Sequence, residues 1–529
     1  MLQQIGYWKN LHERAKRNVY FYKMEAERYK RIAREQQKEI KEKEGQIEAL
    51  KQKVILLQKQ LFGRKTEQTD KIDLDNSDDE AKDFAQGNNK RSRGKQPGSK
   101  GYGRRIRNNL PVKEIVHNIA IEERFCPVCG KPFILFPGTE DSEEIDWKVI
   151  VQRIVHRRKR YKPTCNCTAV PGIITSPLDP KLIPKGMFTN EFLVRLLLEK
   201  FLFGTPLYRI RKKLELERFS VSGGTLTGNI KRLGEFLQPL YVLILEKNKS
   251  ARHWHMDETR WKVYEEIEGK KGYRWWLWVM VTHDTCVYVV DPSRSSEIPR
   301  NHLGLDAEGI ISADRYSAYK ALGDGISVAY CWSHVRRDFL RIKDGNKKLS
   351  GWAIEWVKDI DELFIINRKR LEVRGTPKAF KEEDEKLREA VLKMEQKRKE
   401  ELKAEKMHKL KRKVLTSMSR HWEGLKIFID QSEIPMDNNE AERALRNPVI
   451  GRKNYYGSGA VWSGRFTAMM FSIFQTLLLN RIDPRLYLLS YFDEYAKHGG
   501  KVPDNLKRFF PWNLSKEDRA ILRLSEVSL

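Results

Sequence analysis

Three acidic residues lie where their carboxylates could meet to bind divalent metal ions. Asp257 sits inside an aromatic, strand-like run between His255 and Trp261. A charged side chain in such a strand is costly unless it is exposed or bound to a ligand. Asp314 ends the run IISAD, and Glu442 lies in DNNEAERALR, which is typical of a helix start. Carboxylates that hold two divalent ions about 4 Å apart can stabilise both oxygens of a phosphodiester cleavage.

Neighbouring acids compete for the same roles. Glu258 follows Asp257 directly, and only one of the two can point toward the ions because neighbouring strand residues face opposite sides. Asp437 and Glu440 compete with Glu442 in the later motif. Mg²⁺ (or Mn²⁺) prefers oxygen ligands and keeps several waters, so three carboxylates suffice as its protein ligands.

Two cysteine pairs predict a structural zinc site. Cys126 and Cys129 form C-x-x-C, and Cys165 and Cys167 form C-x-C further along the chain. Four thiolates in two pairs suit tetrahedral Zn²⁺, and six cysteines in 529 residues are too few for a disulfide scaffold. The tight second pair leaves His156 open as a substitute ligand.

A second sequence motif, CWSHVRRDF, follows the strand that comes after Asp314. Its Cys331 and His334 form only two potential ligands, which is too few for a metal site on their own. We expect them to shape the strand end near Asp314.

The charge balance favours a polyanionic partner. Lys and Arg number 101 against 72 Asp and Glu, a net charge of +29, which suits nucleic acid or an anionic membrane. The longest apolar runs fall far short of the ~20 residues that a spanning helix needs. The N-terminus is polar, without a visible signal peptide. We expect a cytoplasmic protein that binds DNA and not membranes.

Clustered cations are the candidate DNA contacts. Residues 65–110 form a linker, acidic and then basic, whose glycine-containing basic part could lie along a DNA backbone or minor groove. The candidates in this linker are Arg91, Arg93, Lys95, Arg104 and Arg105. The candidates that flank the acids are Arg336, Arg337, Arg443, Arg446, Arg452 and Lys453. A solvated linker and surface salt bridges, such as Glu442 with Arg446, are the alternatives.

Residues 1–64 predict a coiled coil. An apolar seam with heptad spacing runs through a segment rich in Lys, Glu and Gln. The seam residues are Ile40, Ile47, Leu50, Val54, Leu57 and Leu61. So narrow a stripe needs a partner, which favours a homodimer or higher oligomer; a hairpin on the same chain is the alternative.

The next two segments predict a zinc module and a helical region. Residues 111–180 contain short strands around the cysteines, and residues 181–250 are helical. Two helices flank the loop RFSVSGG, and Ser222 is a candidate N-cap for the second. This pair resembles a helix-turn-helix that could enter a major groove, although most such pairs are simply core.

Residues 251–345 with 430–480 predict an RNase-H-like α/β domain. Three successive strands are followed by strands that alternate with helices. Residues 346–429 predict a charged helical insertion, and 481–529 a C-terminal tail. Asn438 or Asn439 is expected to cap the helix that carries Glu442.

Several long motifs resemble the DDE transposases of the insertion-sequence-66 family. They are DETRWKV, DRYSAY, CWSHVRRDF, DNNEAERALRNPVIGRKNYYGSG, LLQKQLFGRKTEQ, RGKQPGSKG, CPVCGK and FFPWNL. The resemblance implies catalytic acids at Asp257, Asp314 and Glu442. It implies cleavage and joining at the terminal inverted repeats of a mobile element, with target DNA as second partner and accessory proteins of the same element. A non-catalytic DNA-binding regulator and an RNase-H-like nuclease are the alternatives.

Overall fold

The computed structural model consists of two compact units. One comprises Met1–Gly63 with Ile150–Leu529, and the other Arg64–Val149. The described residues are scattered positions between 12 and 50, parts of 114–134, and 150–524 apart from 163, 165–172 and 305. Within these ranges, no helix combines the length and apolar character that crossing a bilayer requires.

The N-terminal segment is helical at every described position between 12 and 50. Ile40, Ile47 and Leu50 of the heptad seam are 57%, 52% and 61% exposed in the single chain. The seam residues Val54, Leu57 and Leu61 lie outside the described residues. The coiled coil therefore stays a prediction.

A small hairpin and three helices precede the main sheet. Strands β1 (Arg160–Tyr161) and β2 (Ile174–Thr175) pair antiparallel. The helices are α1 (Asn190–Leu197), which continues as a π-helix over Leu198–Leu202, α2 (Leu207–Leu216) and α3 (Gly223–Lys249).

Helix α3 begins as predicted and then runs through the core. The Ser222 hydroxyl accepts a hydrogen bond from the Thr225 amide at 3.0 Å, which confirms its capping role. Buried residues recur along α3 at helical spacing: Leu226, Ile230, Leu233, Leu237, Leu240 and Ile244. This packing favours the core alternative to a DNA-reading helix-turn-helix.

The main sheet has five strands with mixed directions. In chain order they are β3 (His253–Lys262), β4 (Arg274–Val281), β5 (Cys286–Asp291), β6 (Gly309–Ala313) and β7 (Ile326–Tyr330), with helix α4 (Glu297–Leu303) between β5 and β6. Their spatial order is β5-β4-β3-β6-β7. The first three strands pair antiparallel, whereas β6 runs parallel to both β3 and β7. An α/β domain is therefore present, with β3 at its centre.

The helices after the sheet belong to two cores. They are α5 (Trp332–Gly345), α6 (Ser350–Glu372), α7 (Pro377–Lys403), α8 (Lys409–Arg420), α9 (Trp422–Asp430), α10 (Asn439–Tyr455), α11 (Val461–Leu479), α12 (Pro484–Lys497) and α13 (Lys516–Leu522). Helices α5 to α9 share a core of their own around Trp332, Phe339 and Trp356. The expected insertion at 346–429 is thus helical and internally packed.

Helices α11 and α12 complete the core of the sheet. The edge strand β5 donates its Cys286 and Tyr288 amides to Thr476 and Ser472 of α11, at 3.0 and 2.8 Å. A helix that satisfies a strand's free amides protects the sheet edge from pairing with another chain. Tyr487 of α12 is fully buried in this core, so the segment expected as a tail contributes to it.

Candidate active site

Asp257 and Glu258 are neighbours in strand β3, and their side chains point to opposite faces of the sheet. His255 and Trp261, which share a face with Asp257, contact the segments at either end of α10: the His255 ring bonds Asn438 at 3.1 Å and the Trp261 ring bonds Ser458 at 3.0 Å. Glu258 points to the opposite face. The alternation expected from the sequence is therefore present.

Glu258 is held by a structural ion pair. Arg294 Nε donates to Glu258 Oε1 at 2.9 Å, and the Tyr319 hydroxyl donates to Oε2 at 2.7 Å. The Glu258 side chain is only 1% exposed, and the Arg294 guanidinium lies 3.8 Å from the centre of the Tyr316 ring. These contacts engage both oxygens of Glu258, which favours Asp257 over Glu258 as a metal ligand.

Asp257 is a buried carboxyl group without a cationic partner among the described residues. Burial raises its pKa well above the usual value, and the negative charges of Glu258, Asp314 and Glu442 raise it further. One hydrogen bond opposes this shift, from the Glu258 amide to Asp257 Oδ1 at 2.8 Å. Among the described residues, no cationic side chain forms an ion pair with Asp257.

Asp314 follows the C-terminal end of β6, next to β3. The parallel register pairs His255 with Ser312, so Asp257 and Asp314 each lie two residues beyond the last pair. Asp314 Oδ1 accepts a hydrogen bond from the Tyr316 amide at 2.9 Å, which fixes the carboxylate at the strand end.

Glu442 occupies the first turn of α10 and faces α5. Its Oε1 lies 3.7 Å from His334 Nε2 and 3.8 Å from Arg337 Nη2. The competing Glu440 is 48% exposed and pairs with Arg443 at 2.5 Å. Both oxygens of Asp437, the other competitor, accept hydrogen bonds from its neighbour Asn439. Glu442 is thus the acid of this motif whose charge reaches Asp257.

Asn438 joins the start of α10 to β3. Its Nδ2 donates to the Met256 carbonyl at 2.7 Å, its Oδ1 accepts from His255, and its amide donates to Cys331 Sγ at 3.3 Å. Asn438 is 1% exposed and occupies the N-cap position of α10, as expected, but its side chain makes no capping hydrogen bond. Its side-chain amide bonds the Met256 carbonyl instead, because a buried carbonyl needs a hydrogen-bond donor.

Cys331 connects the same segment to β6. Its amide donates to the Ala313 carbonyl at 3.1 Å, directly before Asp314. The amide of the next residue, Trp332, donates to the Met436 carbonyl at 2.8 Å. As expected, Cys331 shapes the strand end beside Asp314.

The three acids are not positioned to coordinate a metal ion together without some rearrangement of their side chains. In the described part of the chain, no group of three or more His, Cys, Asp or Glu side chains is close enough to hold an ion. The donor set nevertheless fits Mg²⁺, because it offers carboxylate oxygens from the middle of β3, the residue after β6 and the first turn of α10. The uncompensated charge on Asp257 fits a cation as well.

The zinc prediction falls largely outside the described residues. Cys126, Cys165 and Cys167 are not among them, whereas Cys129 is an exposed free thiol. The four-cysteine site stays a prediction.

The predicted DNA-contact residues divide by their partners. Arg336 forms a two-bond ion pair with Asp361 at 2.6 and 3.0 Å, which ties α5 to α6. Arg452 donates to the Thr259 hydroxyl at 3.0 Å and to the Arg260 carbonyl. Arg446 and Lys453 are exposed. The linker candidates Arg91, Arg93, Lys95, Arg104 and Arg105 lie outside the described residues.

Two arginines of the site were not predicted from the sequence. Arg294 pairs with Glu258, and Arg315 pairs with Asp338 at 2.5 Å while donating to Ser417 at 3.1 Å. Arg315 directly follows Asp314, so it anchors this strand end to α5 and α8. Neither partner could be recognised from local sequence.

Comparison with known proteins identifies the family. A family model described as transposase, IS66 family, matches residues 185–465, which is more than half of the chain and includes all three acids. The chain belongs to the IS66 transposase family. It is 26% identical over 454 residues to the uncharacterized protein y4jD of Sinorhizobium fredii, covering 82% of this chain and 85% of the relative. It is also 26% identical over 442 residues to y4hP of that organism, covering 76% and 75%. Membership of the IS66 family assigns the chain a role in transposition.

Proposed function

We propose that this chain is a metal-dependent DDE transposase with an RNase-H-like catalytic domain. The observation that carries the proposal is that Asp257 and Asp314 lie side by side, each two residues past the last pair of the β3–β6 ladder. The start of α10, the helix that carries Glu442, is bonded to the same stretch of β3 through Asn438. The strand order, three antiparallel strands followed by two parallel ones, is the one expected for that fold. Family membership supports the same reading.

Asp257, Asp314 and Glu442 would hold Mg²⁺ or Mn²⁺ through their carboxylate oxygens. When bound, such ions activate the attacking oxygen and stabilise the leaving oxygen. The chain itself orients the ligands. Backbone amides fix Asp257 and Asp314, and Arg337 and His334 face Glu442.

The proposed reaction has two phosphoryl-transfer steps. In the first, a water oxygen bonds to phosphorus at an element end and the bond to the 3′ oxygen breaks, leaving a 3′-OH and a 5′-phosphate. In the second, that 3′-OH attacks a phosphodiester of target DNA and displaces the target's 3′ oxygen. Neither step needs a covalent protein intermediate.

The other parts of the chain would hold DNA and assemble the complex. The +29 charge suits the element's terminal inverted repeats and target DNA as partners. A homodimer through the heptad seam would bring two ends together. A Zn²⁺ ion on Cys126, Cys129, Cys165 and Cys167 would stabilise a small module. Accessory proteins of the same element belong to this proposal too, as does association with the bacterial nucleoid.

A cleavage and strand-transfer assay tests the proposal. The substrate is DNA carrying the terminal inverted repeats, incubated with Mg²⁺ or Mn²⁺. Asp257→Asn should abolish both reactions, while Glu440→Gln, the nearby acid paired with Arg443, should retain them. Cleavage without transfer would indicate a nuclease. DNA binding without metal-dependent cleavage would indicate a regulator.

The zinc module has its own measurement. Metal analysis of the purified chain should find one zinc per protein, and replacing Cys126 and Cys129 by serine should remove it. Four freely titratable thiols at these positions, with no zinc bound, would reject this part of the proposal.

A further inference from the structure

The turn after α10 holds a tyrosine in a backbone conformation that tyrosine rarely adopts. Tyr456 has φ 65° and ψ −17°, and its amide donates to the Arg452 carbonyl at 2.8 Å. Glycine and asparagine enter this left-handed region readily, whereas bulky residues do not. The side chain is 68% exposed, and no described residue bonds to it or stacks on it. Packing within the chain therefore does not account for the tyrosine.

The turn is fixed to the end of β3. The Ser458 amide donates to the Lys262 carbonyl at 2.8 Å, and the Tyr264 amide donates to the Ser458 carbonyl at 2.9 Å. A side chain at Gly457 would collide with the Lys262 carbonyl, so the backbone passes directly against the strand. Tyr456 is thus presented from a rigid support.

Cations of β3 and α10 flank this turn, and a cation of β4 lies across β3 from it. Lys262 lies directly opposite Arg274 in the antiparallel register, although like charges at such positions repel. Arg452 donates a hydrogen bond to the Arg260 carbonyl. Burial lowers the pKa of Arg452, and the positive charge of Arg260 lowers it further. Two acids on this side are engaged elsewhere. Glu265 accepts a bond from the Val461 amide at the start of α11, and Glu266 accepts one from the Tyr273 hydroxyl. Such a cluster of cations suits an anionic partner.

We propose that Tyr456 stacks on an unpaired nucleobase of bound DNA while Lys262 and Arg274 contact the adjacent phosphates. The Tyr456 turn lies beside Lys262, five residues along β3 from Asp257, or about 17 Å at 3.3 Å per residue. At 3.4 Å per nucleotide along a strand, the unpaired base lies about five nucleotides from the reacting phosphate. This inference rests on the proposed function for its DNA partner, but the binding itself needs no cleavage.

Metal-free binding experiments with the full chain test it. The probes are a DNA duplex and the same duplex with a single unpaired 2-aminopurine. The chain should prefer the second probe and quench its fluorescence by stacking. Tyr456→Phe should keep the preference, and Tyr456→Gly should reduce it about tenfold, as expected for the loss of one base–aromatic stack.

The glycine variant separates stacking from folding. Glycine suits the left-handed region, so Tyr456→Gly should melt at an equal or higher temperature than the parent. Arg481→Gly is the matched control, because Arg481 is exposed with φ 56° and carries no aromatic ring. It should keep the preference for the unpaired base. An undiminished preference in Tyr456→Gly would overturn the stacking role.

A second variant tests the phosphate contacts. Lys262→Gln with Arg274→Gln should weaken binding to both probes alike and reduce the log–log salt slope by about two. An unchanged slope would overturn this part. If the parent chain cleaves no DNA yet prefers the unpaired base, the catalytic proposal fails and this inference stands. If it cleaves normally and Tyr456→Gly binds as the parent does, only this inference fails.

Discussion

Asp257 and Asp314 occupy matching positions on adjacent parallel strands. Each lies two residues past the last pair of the ladder, His255 with Ser312. Because neighbouring strands are about 4.8 Å apart, the two carboxylates lie side by side where the pairing of β3 with β6 ends. Their repulsion adds to burial in raising the Asp257 pKa. A divalent cation at this end would relieve that repulsion.

Asp257→Asn should therefore stabilise the metal-free protein at neutral pH. The pKa of Asp257 is higher in the folded protein than in the unfolded chain, where it is about 4. The free energy of unfolding is therefore largest below about pH 4, and it falls as the pH rises through the pKa of the folded state. Asparagine carries no charge and avoids this loss. Thermal unfolding in EDTA at pH 7 should show a melting temperature higher by a few degrees.

The same melting experiment with Mg²⁺ provides the control. The ion should stabilise the parent protein and Glu440→Gln, but it should have little effect on Asp257→Asn. An equal Mg²⁺ response in all three proteins would show that the ion binds elsewhere.

Asn438→Ala should destabilise the fold and impair catalysis together. It removes the hydrogen bonds to His255 and the Met256 carbonyl and leaves buried polar groups unpaired, at a cost of about 1–3 kcal/mol. Urea unfolding measures the loss. Cleavage should also fall, because Glu442 is no longer held beside β3. Asn439→Ala, which removes only the bond to Asp437, should cost less in both assays.

His302 should make the protein sensitive to acid. Burial, with the charge of Lys249, lowers its pKa to about 3, and its ring bonds Asn248 at 2.7 Å. The unfolded chain takes up this proton near pH 6.5, so stability falls as pH drops from about 6.5 toward 3, by up to 1.4 kcal/mol per unit. His302→Gln should flatten the profile. His253, whose pKa is lowered to about 4, contributes with the same sign, so the flattening is partial.

The control for this profile is an exposed histidine. The His283 side chain is 89% exposed, so His283→Gln is the matched control for the effect of replacing a histidine by glutamine at the surface. If His302→Gln and the parent lose stability in parallel below pH 6, His302 takes up its proton in the folded protein.

Ile40→Asp with Ile47→Asp should convert an oligomer into monomers. Each buried aliphatic lost from a seam costs about 2–4 kcal/mol, and both residues are exposed in the single chain. Light scattering measures the mass. Gly45→Asp with Gln52→Asp adds the same charge opposite the seam and should leave the oligomer intact. If the seam variant stays oligomeric, the hairpin alternative is the better reading.

Local sequence was sufficient to predict structural features that depend only on residues close together in the chain. The alternation of β3 predicts that Asp257 and Glu258 face opposite sides, because side-chain direction in a strand depends on the backbone alone. The Ser222 cap is equally local, since its partner Thr225 is three residues away.

Distant partners explain what the sequence could not predict. Local preference favours Asn438 as a helix cap, but its side chain bonds Met256, which is 182 residues away in the chain. Arg315 likewise reaches Ser417, 102 residues away. These contacts form only when the start of α10 packs against β3 and the insertion packs against the end of β6, and no local pattern encodes them.

The long stretch of chain between β3 and α10, which pack against each other, also sets an order of events during synthesis. The carbonyls of Met256 and Lys262 receive Asn438 and Ser458 only after the intervening helices have been made. At about 5–20 residues per second, a ribosome takes roughly 10–40 seconds to cover that interval. During this time the central strand β3 lacks its contacts with α10. The helices around Trp332 and Phe339 can meanwhile form their own core. The region around Asp257, where the proposed metal ligands lie, is therefore completed late, after the helices that interrupt it.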